Sequence, residues 1–381
     1  MRKLIAVASQ SSDWFARTLE SIWSAGDAVL MVDPRLPRDD VLARCRANGA
    51  AELVLDDAPP IALEHGTPIN DDVAVVMYTS GTSGGPQTVE LTHDNLAASA
   101  RGAMAALGTH TETHWLCCLP VAHIAGFSVV ARAVASGAAL TCLERFSTQG
   151  ARHAAESGAR AVSLVPTALQ RIDPTWFDTI LVGGAPTHHV LAPNTTLSYG
   201  LTETAGGVVF NGIAAHDVEV RIDESSRICL RGPSIAHHRR DGTPLLAPDN
   251  WLVTNDLGLV NEGRLTVLGR ADDLIITGGE KVWPQHVEAV LDRLSGVQKS
   301  AVTSVDDPEW GQRVVALVEL KPGATALSSD QIRAQLGEHL SRWHIPKDVY
   351  TVERIPVTSL GKIERHRLGA FIALHLDAQV P

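Results

Sequence analysis

Between residues 28 and 182 the chain alternates short apolar runs with stretches of helical spacing, and few folds accommodate that order. Strand-like runs stand at Ala28–Val32, Glu52–Leu55, Val73–Tyr78, Trp115–Leu119, Ala139–Leu143, Ala161–Val165 and Thr179–Val182. Helical patterns at Pro37–Asn48, Asn95–Leu107, Phe127–Ala135 and Thr148–Ser157 lie between several of them. Parallel strands need a crossover, and crossover helices cover both faces of their sheet. The alternation therefore predicts an α/β fold whose large N-terminal domain is layered around a mostly parallel sheet. From 217 to 268 shorter strands follow, at Val218–Ile222, Arg227–Arg231, Leu252–Thr254 and Arg264–Val267. They predict a small β subdomain, either an antiparallel sheet or a distorted barrel.

The run Arg270-Ala271-Asp272-Asp273 marks a predicted boundary, with residues 1–270 in the large domain and 271–381 in a small mobile C-terminal α/β domain. There Pro284 suits the first turn of a helix with Val287, Val290, Leu291 and Leu294 on its apolar face and Gly296 at its stop. Strands at Ser300–Val305 and Val314–Leu320 follow. A second helix, capped near Ser328 and Ser329, carries Ile332, Leu336, Leu340 and Trp343 on one side.

A net charge of −11 over 381 residues argues against nucleic acid or an anionic membrane as a partner. Any anionic ligand must then be met by cations and N–H groups placed locally. No apolar run reaches the ~20 residues of a membrane span, and the apolar stretch Leu4–Ala8 is too short for a signal peptide. Five cysteines (Cys45, Cys117, Cys118, Cys142, Cys229) without a CxxC spacing suit buried thiols in a cytoplasmic protein better than a zinc site.

The stretch Tyr78-Thr79-Ser80-Gly81-Thr82-Ser83-Gly84-Gly85-Pro86 follows a buried-strand pattern and combines three glycines with small hydroxyls. Glycine lets backbone N–H groups approach an anion closely, and the hydroxyls add donors. No Gly-Lys-Ser/Thr follows, so the P-loop pattern is excluded. By itself such a stretch is an ordinary turn, but five pieces follow it in order. They are Leu119-Pro120-Val121-Ala122-His123-Ile124-Ala125-Gly126, Leu181-Val182-Gly183-Gly184-Ala185-Pro186, and Ser198-Tyr199-Gly200-Leu201-Thr202-Glu203-Thr204. Next come Thr254-Asn255-Asp256-Leu257-Gly258 with Gly269-Arg270-Ala271-Asp272-Asp273, then Gly278-Gly279-Glu280-Lys281-Val282, joined late by Ser359-Leu360-Gly361-Lys362-Ile363.

This ordered set resembles the adenylate-forming superfamily of acyl-CoA synthetases, adenylation domains and luciferases, over roughly residues 28–370. Within it, the compact length and the run from Tyr199 to Gly212 are most similar to o-succinylbenzoate–CoA ligases of menaquinone synthesis, particularly short actinobacterial forms. The resemblance implies an AMP-forming acid–thiol ligase. It would adenylate a carboxylate with ATP, release pyrophosphate, and then pass the acyl group to CoA. The implied partners are a small-molecule carboxylic acid, ATP and CoA, with Mg²⁺ as the metal, and the resemblance leaves room for a homodimer.

The resemblance also implies roles. Thr79, Ser80, Gly81, Thr82, Ser83 and Gly84 hold phosphates, Thr202 contacts the α-phosphate, and Glu203 holds Mg²⁺. Gly183, Gly184, Ala185, Tyr199 and Gly200 form the adenine slot, while Asp256 receives the ribose hydroxyls with Arg270 nearby. His123, Arg132 and Gly207 belong to the acyl pocket, where Arg132 meets a second carboxylate of the acid. Asp272 is the hinge, and Gly278 and Gly279 line the pantetheine tunnel. Lys362 supplies the cation that brings two anions, carboxylate and α-phosphate, into reaction.

The glycine loop departs from the family pattern in having Gln87-Thr88 where Lys-Gly is usual, and a neutral amide lacks the lysine's charge toward pyrophosphate. The segment before the loop is short for the family, which implies an abbreviated N-terminal subdomain. Two other readings stay open: another aryl- or acyl-CoA ligase or stand-alone adenylation enzyme, and a degenerate nucleotide-binding protein. Joint presence of Thr202, Glu203, Asp256, Arg270 and Lys362 weighs against the last, since a scaffold needs none of them.

Overall fold

Strands that are apolar on both faces decide the layering. The computed structural model describes residues 2–56, 58–79, 87–184, 191–324, 327–358 and 363–377. β1 (Leu4–Ala8), α1 (Asp13–Ser24), β2 (Ala28–Met31), α2 (Arg38–Ala47), β3 (Glu52–Leu55), β4 (Ile61–Ala62), β5 (Val73–Thr79) and β6 (Gln87–Thr92) build a first sheet of order β4-β3-β1-β2-β5-β6. Its inner strands run parallel, and β4 and β6 pair antiparallel at the edges. Along β1, Leu4, Ala6 and Ala8 pack with Val41 and Cys45 of α2, while Ile5 and Val7 pack with Phe15 and Leu19 of α1. A period of two with apolar residues in both phases is what a sheet covered on both sides requires.

The second sheet repeats the device. It comprises α3 (His93–Leu107), β7 (Trp115–Cys117), α4 (Ile124–Ser136), β8 (Leu140–Cys142), α5 (Thr148–Glu156), β9 (Ala161–Leu164), α6 (Pro166–Leu169), β10 (Thr179–Val182), β11 (Thr195–Leu201), β12 (Gly206–Phe210) and β13 (Ile213–Ala214). Strand order is β13-β12-β11-β10-β9-β7-β8, parallel from β8 to β11 and antiparallel beyond. Trp115 and Cys117 share a cluster with Phe127 of α4 and with α1, whereas Leu116 and Cys118 pack on Ala151 and Ala154 of α5. Helices α1 and α4 thus lie between the two sheets. None of the five cysteines forms a disulfide, and burial pushes the Cys45 thiol up to about 11.

A third sheet holds β14 (Glu219–Ile222), β15 (Arg227–Arg231), β16 (Leu252–Asn261) and β17 (Arg264–Arg270) in that order. The division of the chain into two compact units runs through its strands. Unit one holds Met1–Arg221, Cys229–Val253 and Val260–Leu265, and unit two holds Ile222–Ile228, Thr254–Leu259 and Thr266–Pro381.

In unit two, β18 (Ile275–Thr277), β19 (Glu280–Val282), α7 (Pro284–Leu291), β20 (Val297–Asp307), β21 (Gly311–Leu320), α8 (Ser329–Gly337), β22 (Asp348–Val352) and α9 (Arg365–Asp377) follow. The sheet order is β19-β18-β21-β20, with β22 parallel to β21. Val287, Leu291, Ile332 and Leu336 from α7 and α8 share one core with Val302, Val314 and Ala316. Leu368 and Ile372 of α9 share another with Ala301, Val315 and Leu317. The helical face expected to reach Leu340 and Trp343 ends at Gly337: Leu340 still enters the core, but Trp343 pairs with Trp310 instead.

Candidate active site

The glycine loop is carried by a hairpin. Thr79 closes β5 and pairs antiparallel with Gln87, the first residue of β6, so Gln87 stands at the mouth of the hairpin rather than inside the loop. Ser80, Gly81, Thr82, Ser83 and Gly84 lie outside the described residues, as do Ala185 and Lys362. The 3-10 turn Thr202–Thr204 packs against both β5 and β6, which brings Thr202 and Glu203 beside the base of the loop.

That turn is pinned on three sides. Thr204 is fully buried, its hydroxyl accepts from Leu201 N at 2.8 Å and donates to Gly206 O at 2.7 Å. Ser99 Oγ donates to Ala205 O at 2.8 Å, and Ala236 N donates to Glu203 O at 2.8 Å. Ala205 adopts φ +56°, a conformation rare for a residue with a Cβ and held here by those bonds. Glu203 is half-buried in this rigid bend, and a single carboxylate beside phosphate oxygens is a donor set that suits Mg²⁺.

Gly183, Tyr199, Gly200 and Gly207 come together across β10, β11 and β12. Val182 pairs with Leu197, Tyr199 with Val209, and Gly200 with Gly207. A Cβ on Gly183 would stand 2.7 Å from Ser198 Oγ, and one on Gly207 would stand 3.1 Å from Ser198 Cβ. A side chain at Gly200 would run into the Gly206 carbonyl, so this strand pair demands glycine there. Ser198 is thus wedged between Gly183 and Gly207. Only its place beside Tyr199 in the motif marks it in the sequence. Gly184, at φ +86°, makes the turn that leaves β10.

His123 is the N-cap of α4. Gly126 follows because a Cβ there would lie 2.5 Å from Pro120 O and 2.6 Å from Leu119 O. Nine residues on in the same helix, Arg132 is 7% exposed, its guanidinium carbon 4.2 Å above the centre of the Trp115 ring. Its Nε and Nη2 have no hydrogen-bond partner among the described residues. Burial pulls its pKa down to about 10, with Cys117 nearby acting the other way, so it stays charged at neutral pH. α4 packs against β12, the strand that carries Gly207.

The remaining site residues belong to unit two. Asp256 is buried, and Arg270 Nη1 lies 3.4 Å from its Oδ1. Arg270 Nη2 is 3.7 Å from Asp272 Oδ2, and Asn255 Nδ2 donates to the same carboxylate. One arginine therefore joins the expected ribose-binding aspartate to the expected hinge. Gly278 and Gly279, at φ +56° and +85°, form the turn between β18 and β19. Gly278 N donates to Trp310 O at 2.9 Å, and a Cβ on Gly278 would lie 2.7 Å from the Trp310 ring. Trp310 meets Trp343 edge-on at 5.5 Å, with Lys347 Nζ 5.1 Å from the Trp310 centroid and the Arg342 guanidinium 4.3 Å from that of Trp343. Sequence reasoning missed this aromatic and cationic cluster because no local motif joins positions 310 and 343.

Known proteins share this architecture and order of motifs. A family model described as AMP-binding enzyme matches residues 55–228, and one described as AMP-binding enzyme C-terminal domain matches 286–362. The 2-succinylbenzoate–CoA ligase of Geobacillus sp. (strain WCH70) is 28% identical over 436 residues, covering 97% of this chain and 87% of the relative. The probable 2-succinylbenzoate–CoA ligase of Mycobacterium tuberculosis (strain ATCC 25618 / H37Rv) is 35% identical over 334 residues, covering 81% and 86%. Among solved structures, o-succinylbenzoate CoA synthetase from Bacillus subtilis, in complex with its acyl-adenylate intermediate, superposes with a TM-score of 0.84 at 25% identity, covering 97% of this chain and 88% of that one. The same enzyme has been solved with ATP and magnesium ion, and matches at a TM-score of 0.83 and 25% identity over 97% and 90%. Two family models matched in order, together with a relative 35% identical over most of its length, place this chain in the AMP-binding enzyme family, the adenylate-forming CoA ligases.

Proposed function

We propose that the chain joins an aromatic acid bearing a second carboxylate, of the o-succinylbenzoate type, to CoA. ATP adenylates one carboxylate with loss of pyrophosphate, and the CoA thiol then displaces AMP. The observation that carries the substrate class is Arg132: a buried cation with two guanidinium nitrogens unpaired among the described residues needs an anion, and a dicarboxylic acid brings one. The relatives are named as ligases of 2-succinylbenzoate, an acid that agrees with that chemistry.

In this reading Thr79 and the glycine loop hold the phosphates, and Thr202 donates to the α-phosphate. Gly183, Gly184, Tyr199 and Gly200 receive the adenine, Asp256 accepts from the ribose hydroxyls, and His123, Gly207 and Arg132 seat the acid. Mg²⁺, held by Glu203, neutralises phosphate charge when bound. Lys362 serves adenylation, and residues 271–381 form the part that turns about Asp272 between the half-reactions. Reaction in the cytoplasm and assembly as a homodimer complete the reading.

Carboxylate-dependent exchange of pyrophosphate into ATP, followed by thioester formation across an acid panel, tests it. o-Succinylbenzoate should outpace benzoate and fatty acids. Exchange supported best by a monocarboxylic acid would move the chain to another acyl-CoA ligase, and exchange with no acid would end the enzymatic reading.

The second half-reaction needs a place for the CoA nucleotide beside the pantetheine turn. Trp310 and Trp343 next to Gly278 offer an aromatic face for a purine, and Arg342 and Lys347 offer charge to its phosphates. Trp310→Ala should raise the KM for CoA about tenfold, since loss of a base–aromatic stack costs roughly 1–3 kcal/mol. Pyrophosphate exchange, which uses no CoA, should stay at the parent rate, and an unchanged CoA KM would remove the cluster from the site.

A further inference from the structure

Arg365, three positions after Lys362, is the most heavily bound arginine described in unit two. It opens α9 and is 18% exposed, Nη1 and Nη2 donating to Glu288 Oε1 and Oε2 at 2.8 and 2.7 Å. Nη1 also donates to Val302 O at 2.8 Å, and Nε lies 3.1 Å from Asp273 Oδ2. Glu288 is itself fixed, because Val302 N donates to its Oε1 at 2.7 Å. Burial raises the pKa of Asp273, and the charge of Arg365 opposes that rise. The partners come from three elements: Asp273 from the 3-10 turn Ala271–Asp273, Glu288 from α7, and Val302 from β20.

The described residues that flank Lys362 in the sequence are tied to one another. Val357 and Ile363 form an antiparallel bridge, and Glu364 N donates to Pro356 O at 3.1 Å. Ile355 and Leu368 are buried in one cluster on either side. Arg365 is the only described charged side chain at the far root with buried partners outside its own helix, and one partner is the residue after Asp272.

We propose that Asp273 and Arg365, backed by Glu288, form a positioning clamp that ties the root of the lysine segment to the hinge turn, so that Lys362 is carried with the turn into adenylation. Asp273 and Arg365 are positioning residues: they touch neither substrate nor nucleotide and act through where Lys362 is placed. This rests on the reading of Lys362 as the cation of the first half-reaction. A bidentate arginine on a buried carboxylate fixes direction as well as distance, which a lone lysine ammonium could not do. A displacement of about 1 Å at a reacting group can cost on the order of 10²-fold in rate.

Asp273→Asn is the informative variant, because Arg365 keeps both its bonds to Glu288 and its bond to Val302, and the unit should fold. Adenylation, read as the maximal rate of pyrophosphate exchange, should fall about 10- to 10²-fold with the KM for ATP unchanged. Thioester formation from supplied acyl-adenylate and CoA should keep its parent rate. Arg365→Lys, which keeps charge and loses the fork, should give the same split, and the double variant should be no slower than the worse single one. Equal losses in both half-reactions would make the network a mere prop and overturn the clamp, as would parent rates in both. Lys362→Ala runs alongside. If it abolishes exchange while Asp273→Asn does not, the clamp falls and the lysine reading stands. If it leaves exchange intact, the lysine reading falls and takes the clamp with it.

Discussion

Lys362→Ala is expected to slow carboxylate-dependent pyrophosphate exchange by on the order of 10²–10³-fold, the usual loss when one preorganised charge partner of a developing anion is removed. The carboxylate and the α-phosphate repel each other, and a chain with net charge −11 adds no general attraction. A cation must therefore be delivered to the reacting atoms. The same variant should convert supplied acyl-adenylate and CoA to thioester at the parent rate, because thiol attack expels AMP and joins no two anions of that kind. Loss of both half-reactions together would instead mean that the variant had lost its fold or its hinge motion. A neutral side chain at Gln87 sharpens the expectation: with no lysine there, more of the compensation for phosphate charge would fall to Lys362 on the proposed reading.

Arg132→Met should separate stability from function in opposite directions. The guanidinium is buried and two of its nitrogens are unpaired among the described residues, which opposes folding. The folded pKa, about 10, lies below the ordinary arginine value, so the charged form weakens the folded state at every pH below about 10 and the penalty eases above it. Methionine fills similar space without charge and forfeits only the stacking on Trp115. The melting temperature should hold or rise. The kcat/KM for o-succinylbenzoate should fall on the order of 10²-fold or more, since a buried charge partner is worth about 2–5 kcal/mol to its counterpart. Turnover of benzoate, which has no second carboxylate to pair, should not fall. A drop of several degrees in melting temperature with unchanged KM would make Arg132 a structural residue.

The layered α/β architecture was legible because strand and helix periods differ. Trp115, Leu116, Cys117 and Cys118 are apolar in both phases, and the strand is covered on both sides. Helix limits fell within a few residues where caps are local, as with Ser328, whose side chain and Gln331 form a reciprocal cap. α3 begins at His93 rather than Asn95, since Thr92 and Asn95 cap each other and set the start two residues earlier. β1 and α1 escaped a reading that began its alternation at residue 28, although Ser12 caps α1 and Phe15 and Leu19 fill its buried side. Strand β20 runs longer than its apolar core because pairing with β21 continues through polar residues such as Asp307, and β16 likewise extends to the polar Asn261.

Site residues divided in the same way. Those in contiguous motifs, such as Thr202 with Glu203 and Gly183 with Gly184, stand together in the sequence, and their expected roles came from the resemblance those motifs carry. The pairing of Arg365 with Asp273 and Glu288, and the meeting of Trp310 with Trp343, join positions far apart in sequence with no shared period. Only the folded chain brings them together.

The bend that carries Thr202 and Glu203 is tied down by the Thr204 hydroxyl, by Ser99 and by Ala236 before any nucleotide arrives. Freezing those groups is therefore a cost of folding and forms no part of ligand capture. On the proposed reading, selectivity at this bend would follow from a backbone shape the fold has already set, with no ordering of the turn left for a phosphate to drive.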